Sequence, residues 1–247
     1  MHEDKEIIQK SSLLTLNDIK NACEIRFGKN GELVEICQVS EELRQGIDAL
    51  QKFPKITTIY GSARLDENHP DYIQTEKLAY ALSKELGYAI VTGGGGGIME
   101  AGNRGAHRAG GQSVGVTIII PHEQHTNKYV SDIIPFNYFF TRKVALRYST
   151  DIAIYCPGGF GTMDELFEVM TLIQTNKMNK IPVVLFGSKF WNPLDQHIRD
   201  TLLNEYGTIS SRDRNIYIIT DDIDTVLEIA KQSNSNKMEL NLANKIQ

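Results

Sequence analysis

The chain has 247 residues, of which 41% are hydrophobic and 23% charged, a composition typical of a globular protein with a sizeable core. Lys and Arg total 26 against 31 Asp and Glu, so the formal net charge of -5 gives no general attraction to nucleic-acid backbones or anionic lipids. Composition and charge therefore argue against a nucleic-acid-binding protein and against a membrane-surface protein.

The first part of the chain, residues 1–54, is charged and helical in pattern, and SEELRQGIDALQKF is its clearest amphipathic stretch. We interpret residues 1–54 as a helical extension that packs on the following domain or on another subunit. The opening stretch MHEDKEIIQK lacks the apolar segment of a secretory signal, and no apolar run is long enough to cross a bilayer. We expect a soluble cytoplasmic protein.

The metal-binding and redox-active residue types form no familiar pattern. Cys23, Cys37 and Cys156 are odd in number and include no CxxC pair, which argues against a disulfide framework and a zinc knuckle and fits a reduced, cytoplasmic setting. His122 and His125 in PHEQH do not have the HExxH spacing of zinc proteases and follow a proline. We expect no metal site.

A regular alternation begins at about residue 55, where short β-branched runs alternate with amphipathic helical patterns. Six runs predict strands: KITTIYG, YAIVTGG, SVGVTIII, DIAIYC, IPVVLFG and NIYIIT. We therefore expect one Rossmann-like α/β domain over residues 55–232, a doubly wound parallel sheet with helices on both faces. The polar segment 233–247 is expected to be a frayed tail.

Three of the predicted strands end in a loop that contains glycine: YGSAR (residues 60–64), TGGGGGIME (92–100) and CPGGFGT (156–162). Ligands of parallel sheets bind beyond the carboxyl ends of the strands, and glycine lets backbone N–H groups approach an anion at a helix N-terminus. These loops predict a phosphate site. The alternative, that the glycines only permit tight turns, stays open.

The glycine spacing narrows the kind of phosphate ligand. The run from Gly93 to Gly97 completes no G-x-G-x-x-G dinucleotide fingerprint, and neither of the two later loops ends in the Lys-Ser/Thr pair of a P-loop. A mononucleotide or a sugar phosphate therefore remains as the expected ligand.

The stretch TMDE, from Thr162 to Glu165, has two interpretations. Its spacing fits a capping box, in which Thr162 caps the following helix and Glu165 reaches back to the cap amide. A phosphate on the same helix end would compete for these amides, so at least one carboxylate, of Asp164 or Glu165, would point toward the uncharged part of the ligand.

These motifs resemble a known family. PGGFGTMDE, from Pro157 to Glu165, matches in full the PGGxGTxxE signature of the LOG ("Lonely Guy") phosphoribohydrolases, long labelled possible lysine decarboxylases. GGGGGIME is similar to the family's GGxxGxM-type loop, and Arg142-Lys143 in FFTRKVAL to its Arg-Lys pair. The resemblance extends over residues 56–190 and excludes the N-terminal fifty residues and the tail.

The resemblance implies hydrolysis of the N-glycosidic bond of a nucleoside 5′-monophosphate, without a metal or cofactor. AMP, or an N6-modified AMP such as a cytokinin nucleotide, is the implied substrate. Glu165 is the implied catalytic carboxylate, and it could hold the ribose hydroxyls, stabilise an oxocarbenium-like transition state or orient the attacking water. Arg142 could stabilise the departing base or fix the carboxylate.

The resemblance also implies which residues bind the nucleotide. The phosphate is expected on the glycines and hydroxyls of the three loops, and a methionine at the start of a helix is expected against the base, although such a methionine can equally belong to the core. The expected binding residues are Ser62, Gly94, Gly95, Met99, Lys143, Gly158, Gly159, Gly161 and Thr162.

Two other functions stay open. A carrier could bind a phosphorylated cofactor without cleaving it, as molybdenum-cofactor carrier proteins of the same broad superfold do, but Arg142 together with Glu165 favours an enzyme. A nucleotide-sensing or DNA-processing module is disfavoured by the negative net charge. We expect a homo-oligomer, a dimer or larger, with its site near a subunit interface, and no nucleic-acid or membrane partner.

Overall fold

The structure, a computed structural model, describes residues 25–27, 33–119 and 126–243. Its strands in chain order are β1 (Ile25–Phe27), β2 (Leu33–Glu35), β3 (Ile56–Tyr60), β4 (Ala89–Thr92), β5 (Ser113–Ile118), β6 (Asp132–Phe136), β7 (Ile152–Tyr155), β8 (Val183–Phe186) and β9 (Tyr217–Thr220). Its α-helices are α1 (Ile36–Leu50), α2 (Pro70–Leu86), α3 (Ile98–Ala109), α4 (Phe139–Tyr148), α5 (Phe160–Gln174), α6 (Ser188–His197) and α7 (Ile223–Ala243). A π-helix (Ile198–Glu205) and a 3-10 helix (Asp213–Ile216) lie between α6 and β9.

Seven strands form one parallel sheet in the order β6-β5-β4-β3-β7-β8-β9, and β1 pairs with β2 in a separate antiparallel hairpin. Strands β3, β4, β5, β7 and β8 are buried at every residue. Complete burial is typical of parallel strands covered by helices on both faces, and it explains their near-continuous apolar runs. The doubly wound fold predicted from the sequence is confirmed.

The helices enclose one apolar core on each face of the sheet. On one face α1, α4, α5 and α6 bury side chains such as Leu146, Leu166 and Trp191. On the other face α2, α3 and α7 bury side chains such as Leu78 and Val226. Each fully buried side chain of this size contributes about 1.5–3 kcal/mol, so the two cores hold the sheet and its loops in place.

Strand β6 was not predicted from the sequence. It lies at an edge of the sheet, where it pairs with β5, and only its last residue, Phe136, is buried. Pro135 within it lacks a backbone N–H, which an edge strand tolerates because one of its sides forms no ladder. With neither a continuous apolar run nor a clean alternation, DIIPF gives no strand signal in the sequence.

The terminal segments also differ in part from expectation. The β1–β2 hairpin lies within the extension that was expected to be helical. Helix α7 runs to Ala243, so most of residues 233–247 continue a helix instead of forming a frayed tail.

The chain reverses its direction of winding at the β3–β7 pair. It proceeds outward from β3 through β4, β5 and β6, and returns to β7 on the other side of β3. The two loops that leave these strands are joined where they begin, since the amide of Ser62 donates to the carbonyl of Pro157 at 3.0 Å. In open α/β sheets ligands bind at such a switch point.

Candidate functional site

A cleft of about 1180 Å³ opens at the carboxyl ends of β3 and β7. Its walls come from the loop after β3, the loop after β4, the first two turns of α4 and the start of α5. The structure brings together all the predicted site residues except Gly94 and Gly95. Those that line the cleft are Ser62, Met99, Arg142, Lys143, Gly158, Gly159, Gly161, Thr162 and Glu165.

The amide of Gly94 and the carbonyls of Gly94 and Gly95 are directed into the protein. The amide of Gly94 donates to Thr92 Oγ1 at 3.0 Å. The Asn127 side-chain amide donates to the carbonyls of Gly94 and Gly95, at 3.2 Å and 2.9 Å. The amide of Gly94 is therefore already paired, and the structure does not bring either glycine into the cleft lining.

At Gly93 and Gly97, the loop after β4 leaves too little space for a side chain. A Cβ on Gly93 would lie 2.4 Å from Arg142 Nη2 and 2.7 Å from Met99 Sδ. A Cβ on Gly97 would lie 2.2 Å from the carbonyl oxygen of Ser62, and Gly97 has a φ of +63°. Gly93 and Gly97 therefore let two walls of the cleft pack closely.

The loop after β7 has the opposite character. A Cβ on Gly159 or Gly161 would have no neighbour within 4 Å, and both glycines are exposed. Gly159 is the N-cap of α5 and the structure shows no side-chain hydrogen bond to that cap. The first amides of α5 are thus accessible from the cleft, which suits an anion.

The predicted capping box of Thr162 and Glu165 is wrong. Helix α5 begins at Phe160, so Thr162 is its third residue and Glu165 lies in its second turn. The reason is local: Gly159 is extended, with φ -93° and ψ -153°, and it ends the loop three residues before Thr162. Thr162 packs instead on Gly158, where a Cβ would lie 2.0 Å from Thr162 Oγ1.

Glu165 is buried in the wall of the cleft. Its side chain belongs to a residue only 8% exposed, and its Oε2 has no hydrogen-bond partner among the described residues. Burial raises the pKa of Glu165 to about 7, although the charges of Lys143 and Arg142 act to lower it. Near neutral pH this carboxyl group exists in both protonation states.

Arg142 is held at the back of the cleft by α4 and by the sheet. Its Nε donates to the carbonyl of Val116 at 2.7 Å, which orients the guanidinium. Burial lowers the pKa of Arg142, while the nearby Glu165 raises it. A guanidinium starts from so high a pKa that Arg142 remains charged at working pH.

Lys143 is paired with acidic residues of α5. Its Nζ lies 2.6 Å from Asp164 Oδ2 and 3.3 Å from Glu168 Oε2. Asp164 is exposed and contributes to the rim of the cleft. Of the two adjacent carboxylates, Asp164 is thus the one paired with Lys143, and Glu165 is the buried one.

Tyr60 is a cleft residue that the sequence did not single out. Its ring stacks on Tyr155 with centroids 4.7 Å apart, and the Tyr155 hydroxyl donates to the carbonyl of Glu165 at 3.2 Å. The Tyr60 hydroxyl is buried with no partner among the described residues. Burial raises the pKa of Tyr60 well above its ordinary value, so the hydroxyl keeps its proton. Its position at the end of β3, as the first residue of YGSAR, was the available signal.

The described residues contain neither a metal-binding cluster nor a membrane-spanning helix. In the part of the chain that the structure describes, no group of three or more His, Cys, Asp or Glu side chains could hold a metal ion. None of the helices described combines the length and apolar character needed to cross a membrane. His122, His125 and Cys23 lie outside the described residues.

A family model described as "Possible lysine decarboxylase" matches residues 99–230, just over half of the chain. The chain belongs to the LOG family. A relative from Rhodococcoides fascians, named cytokinin riboside 5'-monophosphate phosphoribohydrolase, is 29% identical over 120 residues. That match covers 47% of this chain and 59% of the relative, so the chain spans less than two thirds of that protein.

Solved structures share the fold of this LOG-family chain. The molybdenum cofactor carrier protein of Chlamydomonas reinhardtii is similar with a TM-score of 0.54 and 21% identity, over 73% of this chain and 98% of that one. The molybdenum cofactor binding protein of Rippkaea orientalis has a TM-score of 0.51 and 20% identity, over 72% of this chain and 96% of that one. At these identities the likeness shows the fold alone.

Proposed function

We propose that the protein hydrolyses the N-glycosidic bond of a nucleoside 5′-monophosphate, AMP or an N6-modified AMP, to the free base and ribose 5-phosphate. One observation carries the proposal: Glu165 is buried in the cleft wall while its Oε2 has no partner among the described residues. Such a carboxylate costs folding free energy, as is typical of a group that acts on a ligand. Family membership and the named activity of the Rhodococcoides fascians relative support the same reaction.

The phosphate is proposed to bind at the N-terminus of α5. Gly159 and Gly161 leave the backbone there open to the cleft. The N-terminus of a helix carries partial positive charge and unpaired N–H groups, a combination that suits a phosphate. A nucleotide bound in this way directs its ribose toward Glu165, which lies one helical turn beyond Gly161 and lines the same cleft.

The proposed reaction uses Glu165 in its ionised form. The bond between C1′ and the ring nitrogen breaks, and its electron pair leaves with the base. The carboxylate stabilises the positive charge that develops on the ribose, as in glycoside hydrolysis. Water then adds its hydroxyl to C1′, and its proton goes to the base. Arg142 lies in the same cleft and is proposed to stabilise the negative charge on the departing base.

The base is proposed to bind the apolar part of the cleft, which Met99, Ile118, Phe139 and Leu146 line. A flat heteroaromatic ring gains hydrophobic and aromatic contacts in such surroundings. The cleft volume of about 1180 Å³ exceeds the usual range of about 300–1,000 Å³ for ligand sites. An N6 substituent on adenine therefore has room.

The proposal is tested by incubating the protein with AMP, its N6-isopentenyl form, GMP, CMP and UMP, and measuring free base and ribose 5-phosphate by chromatography. We expect release from the adenine nucleotides. Adenosine is the matched control, and it should not be cleaved because it lacks the phosphate that the start of α5 holds. Release from none of the nucleotides would contradict the proposal. Tight binding of AMP without release would favour the alternative function, a carrier of a phosphorylated cofactor.

A further inference from the structure

The N-terminal helix α1 contacts the helix that carries Arg142. The carboxylate of Glu42 accepts hydrogen bonds from the Asn137 backbone amide at 2.7 Å and from the Asn137 side chain at 2.8 Å. It also accepts from the Tyr138 amide at 3.3 Å and from Thr141 Oγ1 at 2.5 Å. One side chain therefore receives four hydrogen bonds from a segment some 95 residues further along the chain.

These four donors surround the start of α4. The N-cap position of α4 is Tyr138, and the first turn of the helix contains no acidic residue. A helix start needs an acceptor for its free amides and is stabilised by negative charge, which Ser, Thr, Asp or Asn usually supplies at the N-cap. Here α1 supplies both through Glu42.

The start of α4 is joined directly to the candidate site. Thr141, one of the donors to Glu42, immediately precedes Arg142, whose Nε is tied to the sheet through Val116. Helix α1 is itself held close to strand β6, since a Cβ on Gly46 would lie 2.1 Å from Phe136 Cζ. Two contacts thus fix the start of α4: the hydrogen bonds to Glu42 and the hydrogen bond from Arg142 to Val116. The position of the Arg142 guanidinium depends on both.

We propose that Glu42 is a positioning residue for the cleft: the N-terminal helix holds the start of α4 so that Arg142 faces the ligand in its working geometry. As far as turnover is concerned, this inference rests on the proposed function. It gives the N-terminal extension a role in the reaction, although α1 contributes no residue to the cleft lining.

The test compares Glu42→Ala, Glu42→Gln and Glu41→Ala. Glu41 is a matched control, because it is the neighbouring glutamate and bonds to Arg44 and Gln45 of its own helix. Small displacements of a positioned group cost up to about 100-fold in rate. We expect kcat for AMP to fall about 10- to 100-fold in Glu42→Ala with KM changed less than about threefold. Glu42→Gln, which keeps one acceptor oxygen, should recover part of this loss, and Glu41→Ala should retain the wild-type kcat.

A readout independent of turnover is hydrogen–deuterium exchange of residues 137–148, measured by mass spectrometry. Exchange should be faster in Glu42→Ala than in wild type and unchanged in Glu41→Ala. Unchanged exchange in both Glu42 variants would overturn the inference. So would faster exchange and a lower Tm with the kcat of wild type, because Glu42 would then be only structural. If wild type binds AMP but does not cleave it, the proposed function fails, and the inference is judged by exchange and by the Kd for AMP, which Glu42→Ala should raise.

Discussion

The loop after β4 and the loop after β7 both place several glycines at the carboxyl end of a buried strand, but their surroundings differ. In the first loop a Cβ on Gly93 or Gly97 would lie within 2.4 Å of Arg142 or Ser62. In the second, Gly159 and Gly161 have nothing within 4 Å of an added Cβ. Glycine-rich sequence therefore does not by itself indicate a phosphate site. At the start of α5, Gly159 and Gly161 are exposed and leave the backbone open to the cleft.

The largest expected effect is on the closely packed loop. Gly97→Ala would force a side chain into a φ of +63° and to 2.2 Å from the Ser62 carbonyl oxygen. Strain and overpacking of this kind each cost about 1–3 kcal/mol, so we expect the free energy of unfolding to fall by about 3 kcal/mol. Urea denaturation measures the loss. Gly159→Ala is the control and should change stability little, since its Cβ meets open space. Equal losses in both variants would remove the distinction between the loops.

A smaller and opposite effect is expected in the open loop. Gly161→Ala adds a methyl group within the first turn of α5, where alanine is favoured over glycine by about 0.5–1 kcal/mol. The variant should therefore be slightly more stable than wild type. The same methyl group would hinder an anion from approaching the amides, and we expect the Kd for AMP to rise about tenfold, or about 1.4 kcal/mol. Calorimetric titration checks this, and an unchanged Kd would contradict the proposed phosphate position.

The fold could be predicted from the sequence wherever burial leaves a pattern in it. The five completely buried strands have near-continuous apolar runs. The apolar run NIYIIT was long enough to predict β9 as well. Strand β6 could not be predicted, because edge strands are half exposed and DIIPF has no clear period.

The site could be predicted in part, and what was missed depends on contacts between distant segments. The signature from Pro157 to Glu165 predicts the loop after β7, which lines the cleft, but the start of α5 depends on the backbone angles of Gly159, which made the capping box at Thr162 wrong. The hydrogen bonds that hold the carbonyls of Gly94 and Gly95 depend on Asn127, more than thirty residues away. The contribution of Glu42 depends on a segment that is further away still.

The central claim, that the buried carboxyl of Glu165 is present for a ligand, is tested most directly by comparing Glu165→Gln with wild type in turnover and in stability. Burial raises the pKa of Glu165 from its ordinary 4.5 to about 7. The protonated carboxyl therefore favours the native state below about pH 4.5, and this contribution is lost as the pH rises through about 7.

At pH 8 wild type must hold a buried charge that Glu165→Gln lacks. We predict that the variant is more stable than wild type there, by up to roughly 3 kcal/mol, and that the difference narrows below pH 5. We also predict that its turnover of AMP falls about 10²- to 10⁴-fold. A variant that is less stable than wild type at pH 8 and still cleaves AMP at the wild-type rate would contradict the account, and Glu165 would be a structural residue of α5.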